Sequence, residues 1–503
     1  MAAPLGLRRW APVVLVSLAL VPSAFAASAP ADPKIVHLLN RLSFGPAPGD
    51  IEQATRLGIE RYIQQQLHPE QIAEPPALNA RLAALDTLKL APVELARAFG
   101  PRPNGANRRF QAAGAAPQLD EQQRQDYRQN LRLVVEQAAT ARLMQALSSP
   151  RQLQEVMTDF WFNHFNVYAG KGLTRLWVGA YEQEAIRPYA LGRFRDLLAA
   201  TAAHPAMLFY LDNWLNTGPA TPGARGRFTG LNENYARELL ELHTLGVDGG
   251  YSQQDVTELA RIFTGWGLCR PRRDQPLTGF CFDARRHAPG DKILLGQTIR
   301  ESGMDEGLQA LDLLSRHPAT ARHISFQLAQ YFVADNPPAG LVERLAERFR
   351  ASDGDIRAVL DALFHSPEFW DSRNFASKFK TPYRYVLSAV RATGIEPANP
   401  LALFAPLQQL GMPLYGCQTP DGYKNTRESW LNPDGMTRRL SFAASLANGQ
   451  LAGTRPGGET TATEALIETL GGRFSAKTRA ALAKNPEPLR SALLLGSPEM
   501  MAY

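Results

Sequence analysis

The chain has 503 residues, 45% of them hydrophobic and 20% charged, with 54 Lys and Arg against 48 Asp and Glu for a formal charge of +6. That length supports one large domain or two ordinary ones with a sizeable core. So small a basic excess, scattered among acids as on a solvated helical surface, argues against a nucleic-acid-binding face; Arg124, Arg128 and Arg132 form its clearest stripe.

Arg8 and Arg9 precede an apolar run from Ala11 to Val21 and a small-residue exit at Ala24-Phe25-Ala26, the three parts of a cleavable secretory signal peptide. The expected leader is 1–26. A cut after Ala29 would instead place Pro30 beside the scissile bond. An uncleaved anchor is the alternative, but a run of roughly ten apolar residues is too short to span a bilayer, and no later stretch is apolar enough to do so. Removing Arg8 and Arg9 leaves 52 basic against 48 acidic residues, a mature charge of about +4. Export to the periplasm or the medium permits disulfides, and Cys269 with Cys281 is the expected pair, leaving Cys417 over. Closing that loop adds about 3 kcal/mol in the chain-entropy model. A metal reading of Cys269, Cys281 and His287 lacks a fourth ligand.

Beyond the leader, stretches of ten to twenty residues carry apolar positions three and four apart and close on Gly, Pro or a polar run. The predicted fold is all-α, a many-helix globular domain over 27–450 followed by a helical extension over 451–503. Polar-proline pairs at Ser149-Pro150, His204-Pro205, His317-Pro318 and Ser366-Pro367 read as helix starts. The best-defined helix starts at Ser149 with a capping box to Gln152 and runs to about Phe165, with His164 on its apolar face. Gly100 to Pro117 and Asn216 to Gly230 read as flexible surface loops. Ser252 and Asp255 box the start of another helix, which ends near Gly267. One small β-hairpin is predicted near 280–295, pairing 280–282 with 292–295 across a turn at Pro289-Gly290.

The standard signatures of catalysis are missing: no G-x-S-x-G, no H-E-x-x-H, no P-loop, no C-x-x-C and no dinucleotide fingerprint. A helix from Asn232 to His243, capped by Asn232, carries Glu233, Arg237 and Glu241 at four-residue intervals, the pattern of a surface ion-pair stripe. Glu238 sits one turn from Glu241, so the pair could share a metal or a proton if that face is buried. His243 falls among Tyr235, Leu239 and Leu242, which points to packing.

Leu39-Asn40-Arg41-Leu42-Ser43-Phe44-Gly45-Pro46, Phe160 to Phe165, Asn232 to Gly246 and Phe263-Thr264-Gly265-Trp266 occur in this order. His287 to Gly296, Lys378-Phe379-Lys380-Thr381-Pro382 and Trp430-Leu431-Asn432 with Arg439 follow. Over nearly the whole mature chain this set resembles a large bacterial family, domain of unknown function eighteen-hundred. The resemblance implies an exported, mostly helical protein without an established activity, and a partner: an exported alkaline-phosphatase-like protein encoded nearby. It marks Arg41, Trp161, Asn232 and Asn234 as signature residues. The family's hairpin reads His-Asp where this chain has His287-Ala288, so Asp291 is the substitute ligand.

Two functions follow. In the first, an exported hydrolase of envelope or environmental polymers uses Glu238 or Glu241 with Arg237 in one concave pocket, and His164, His287 and Asp291 hold a divalent metal ion or serve as acid. In the second, a non-catalytic helical scaffold works with the phosphatase-like partner, and Arg41, Arg237, Glu241 and the tryptophans are structural.

Overall fold

The three-and-four spacings become helices in the computed structural model, which describes residues 30–100, 120–268, 279–451 and 462–503. The proposed leader, most of the 100–117 loop and Cys269 of the proposed disulfide lie outside the described residues; Cys281 stands in a strand opposite Gly267. The architecture is all-α with two small antiparallel strand pairs. No described helix is long and apolar enough to cross a membrane.

Helix α1, Pro33–Leu42, is capped by Asp32 and leads into α2, Glu121–Ser148, through several short helices. Helix α3, Gln152–His164, has Arg151 as its N-cap and begins two residues later than the predicted capping box would place it. Ser149 instead ends α2, its hydroxyl accepting from the Arg151 amide at 3.1 Å, while the Gln152 side chain donates to the Ala146 and Ser149 carbonyls. The serine and glutamine thus seal the corner between two helices, satisfying carbonyls that a helix end leaves open.

Of the four polar-proline pairs, two begin helices. His204 and His317 each accept through Nδ1 from the amide two residues on, at 3.2 Å, opening the helices Pro205–Tyr210 and α7, Pro318–Phe332. Ser366 caps a turn through its bond from the Phe369 amide. Helix α4, Asn234–Glu238, continues as a π-helical segment, Leu239–Thr244; its N-cap is Glu233 rather than the expected Asn232, whose side chain accepts from the Asn234 amide one residue earlier in the turn. The Ser252–Asp255 box is present at the start of α5, Gln253–Ile262. That helix stops short of Gly267, because Trp266–Leu268 is extended as β1.

Strands form near the predicted hairpin but pair differently. β2, Phe280–Phe282, pairs with β1, placing Trp266 opposite Phe282, and β3, Lys292–Leu294, pairs with β4, Gln297–Ile299. The Leu295-Gly296 corner, with φ of 50° and 76°, gives β3 a partner two residues away, and such a local turn closes more readily than the longer Asp283–Asp291 connection. Helix α6, Met304–Arg316, follows β4.

Helix α8, Pro382–Thr393, lies at the centre of the fold and is buried from Pro382 to Ala392. Its polar side chains must therefore find internal partners. Arg384 donates to the carbonyls of Asn40, Arg41 and Ser43, and Arg391 to those of Gly45 and Leu147 and to Asp50, so two arginines satisfy the orphan carbonyls after α1. Backbone bonds of Lys378 and Lys380 with Tyr503 and Met501 join the chain end to the start of α8.

Candidate functional site

Helix α3 is buried almost all round, with the polar Gln152, Glu155, Thr158 and His164 buried alongside Val156, Phe160, Trp161 and Phe162. A carboxylate in such a helix needs an internal partner, and Asp159 has one: Arg142 of α2 donates to its Oδ1 at 2.6 Å. Arg142 also meets Glu182 at 3.1 Å, and Arg187 bridges Glu182 and Glu155. Two arginines therefore face three carboxylates. Arg384 also acts on Asp159, but burial outweighs the pull of Arg142 and Arg384 and raises the Asp159 pKa.

Asp159 opens onto a groove of about 370 Å³ between α3, the π-helical segment, α7, the start of α8 and the loop 421–426. Aromatic rings of Phe160, Tyr331, Tyr423 and Tyr503 line it, with the amides of Asn163, Gln327, Gln330 and Asn425 and the charges of Glu241, Arg384, Asp421 and Lys424. The loop is fixed to α3 by reciprocal bonds: Asn163 donates to the Tyr423 carbonyl at 2.8 Å and accepts from the Tyr423 amide at 2.7 Å. Gly422, with φ of 68°, packs against the Asn163 carbonyl where a Cβ would come within 2.3 Å. Burial would raise the Asp421 pKa, but hydrogen bonds from Lys424 and Thr419 outweigh it and hold the carboxyl below its usual range. Two carboxyl groups on one groove are thus driven in opposite directions.

Of the residues singled out from sequence, His164 and Glu241 line this groove. His164 donates Nε2–H to the His243 carbonyl at 3.1 Å, and His323 donates likewise to Leu242 at 3.2 Å. The two rings cover carbonyls of the π-helical segment, and burial, with the nearby His323, lowers the His164 pKa to about 3. Glu238 lies beside the groove, half-buried, its pKa raised by burial, then by Glu241 and Asp421. Arg237 takes the surface role, paired with Glu233 at 3.2 Å and bonded to Gln253 at 2.9 Å.

The structure does not bring His287 to this groove. Its Nδ1 lies 2.9 Å from the Thr264 carbonyl and its Nε2 3.0 Å from Glu306 Oε1, while Lys292 completes a second cluster with Glu306 at 2.7 Å. Asp291 is exposed and accepts from the Glu301 amide at 2.9 Å. Among the described residues no three His, Cys, Asp or Glu side chains are grouped to hold a metal ion, so the proposed ligands His164, His287 and Asp291 do not form one donor set. The remaining signature residues hold the backbone, Arg41 and Trp161 from the core and Asn232 and Asn234 from nearer the surface. Arg41 is fully buried and donates to the carbonyls of Val333 and Asn374; the Trp161 ring donates to Ala190 at 3.0 Å; the Asn234 amide donates to Leu211; and the Asn232 amide donates to Asn216.

Sequence reasoning missed Asp159, Asp421 and Tyr423. For Asp159 a signal exists: with Glu155 it is one of two carboxylates in a helix whose other side chains are mostly buried. For the 421–426 loop none exists, because only the fold brings it to α3.

The fold and site define an all-helical protein with a polar, aromatic-lined groove. The chain belongs to the family described as "Protein of unknown function (DUF1800)", whose model matches residues 37–502. No curated protein and no solved structure matches it.

Proposed function

We propose that this is an exported hydrolase that binds a polyhydroxylated polymer of the envelope or environment in the α3 groove. One observation carries the reading: Asp159 and Asp421, with opposed pKa shifts, share a groove walled by aromatic rings and amides. Aromatic faces take the apolar faces of sugar rings, and amides and carboxylates take hydroxyls. Asp159, held protonated more readily, is the proton donor to the leaving oxygen, and the ionised Asp421 activates water or attacks directly. No step is routed through a metal ion. Binding of soluble cell-wall and polysaccharide fragments, followed by calorimetry, tests the pocket. Tyr423→Ala is expected to weaken binding at least about tenfold, a loss of about 1.4 kcal/mol; binding unchanged in that variant, or no fragment bound, contradicts it.

A second reading, a scaffold for the alkaline-phosphatase-like partner, has its own support. Leu440, Leu489 and Leu493 are exposed on the packed helices Pro433–Ala447 and Glu487–Leu495. Exposed leucines on neighbouring helices suit a docking surface.

A further inference from the structure

The Lys378-Phe379-Lys380-Thr381-Pro382 motif holds two buried lysines with different surroundings. Lys378 is ion-paired with Asp335 and donates to the Asn425 carbonyl at 3.3 Å. Lys380 has no carboxylate: its Nζ donates to Ser388 Oγ at 2.7 Å, and the charges that reach it are the cations Arg384 and Arg439. Ser388 is itself locked, because Gly45, with φ of 100°, packs so closely that a Cβ there would come within 2.4 Å of its hydroxyl oxygen.

An ammonium buried without a counter-charge, next to two guanidinium groups, is costly, and the side chain relieves this by giving up its proton. Burial first, then Arg384 and Arg439, push the Lys380 pKa far below that of a free lysine. A neutral amine that spends one N–H on Ser388 keeps its lone pair. Lys380 also lines a cavity of about 290 Å³, together with His37, Asn40, Phe375, Arg473 and Tyr503. Glu499 lies there too, but its carboxylate accepts from the Ser475 amide and the Thr478 hydroxyl. The Arg473 guanidinium on that wall donates to the Ala31 carbonyl at 3.1 Å and has no carboxylate partner among the described residues.

We propose that the Lys380 amine condenses with an aldehyde or ketone bearing a carboxylate, held in this cavity with the carboxylate toward Arg473. The nitrogen lone pair forms the new C–N bond and the carbonyl π pair moves to oxygen. The C–O bond then breaks, and the oxygen leaves as one water carrying both amine hydrogens. The step is redox-neutral and yields an imine. The cavity shares the Tyr503 ring with the α3 groove, but the proposal does not depend on how that groove is used.

The test uses the full mature chain, glyoxylate as the probe and cyanoborohydride to reduce and trap any imine, at about pH 6.5, where exposed lysines remain almost wholly protonated. Peptide mass mapping then compares carboxymethylation of Lys380 with that of the exposed Lys34 and Lys424. The expected result is at least about tenfold higher occupancy at Lys380, the ratio that one unit of pKa separation supplies. Occupancy at Lys380 equal to or below that of the exposed lysines overturns the proposal.

Discussion

His204 and His317 cap helices by accepting a hydrogen bond at Nδ1, which requires that nitrogen to be unprotonated. His37, His164 and His204 each have a pKa lowered to about 3, burial being the largest cause in every case. The unfolded chain takes up these protons near pH 6.5, whereas the folded protein resists until about pH 3, so stability is complete above pH 6.5 and is lost as the pH falls. Three such groups give a slope of up to about 4 kcal/mol per pH unit within that window. Denaturant unfolding from pH 7 to pH 4 checks this; a flat profile contradicts it. The packed role of His243 was legible in its apolar neighbours, and burial, followed by His164 and His323, takes its pKa far down. The groove-lining role of His323 was not legible, because an amphipathic helix reads alike whether its histidine meets solvent or a carbonyl of another helix.

At the scale of elements, helix periods were largely legible and caps less so: the Ser252–Asp255 box forms as its local chemistry dictates, whereas Asn232 and Ser149 sit one and two residues ahead of the actual N-caps. The strand pairing was not, since runs of three residues contain too little pattern to choose between a near and a distant partner. The β3 strand is anchored by Lys292 and Glu306, both fully buried and 2.7 Å apart. Lys292→Met leaves the buried Glu306 with His287 and the Ser302 and Gly303 amides but without its lysine, and should cost about 3–5 kcal/mol, part of which Glu306→Leu in the same chain should restore. Additive losses in the double variant would show that the two do not act as a pair. The turn after α1 makes a second case. Gly45→Ala must hold an unfavourable φ while pushing against Ser388, so a loss of at least about 2 kcal/mol is expected in thermal unfolding. An unchanged midpoint would mean that the turn relaxes freely.

For the whole molecule, the family motifs distribute into two kinds of work. Arg41, Trp161, Asn232 and Asn234 tie helices together through backbone carbonyls and side-chain caps, which explains why they look chemically suggestive in sequence yet present little to a ligand. The groove assembles from α3, the π-helical segment, α7, α8 and a loop 260 residues from its anchor at Asn163, a distance over which no sequence period carries information. π-Helical segments often mark functional sites, and this one carries Glu241 to the groove wall. On the proposed reading, Asp159 and Asp421 act together on a polymer bound there. The most direct measurement is the release of new reducing ends from cell-wall and polysaccharide substrates by the purified protein and by Asp159→Asn and Asp421→Asn. Turnover in the parent that falls at least about a hundredfold in each variant, with folding confirmed by circular dichroism, is the predicted result. No turnover in the parent, or equal turnover in all three, contradicts it.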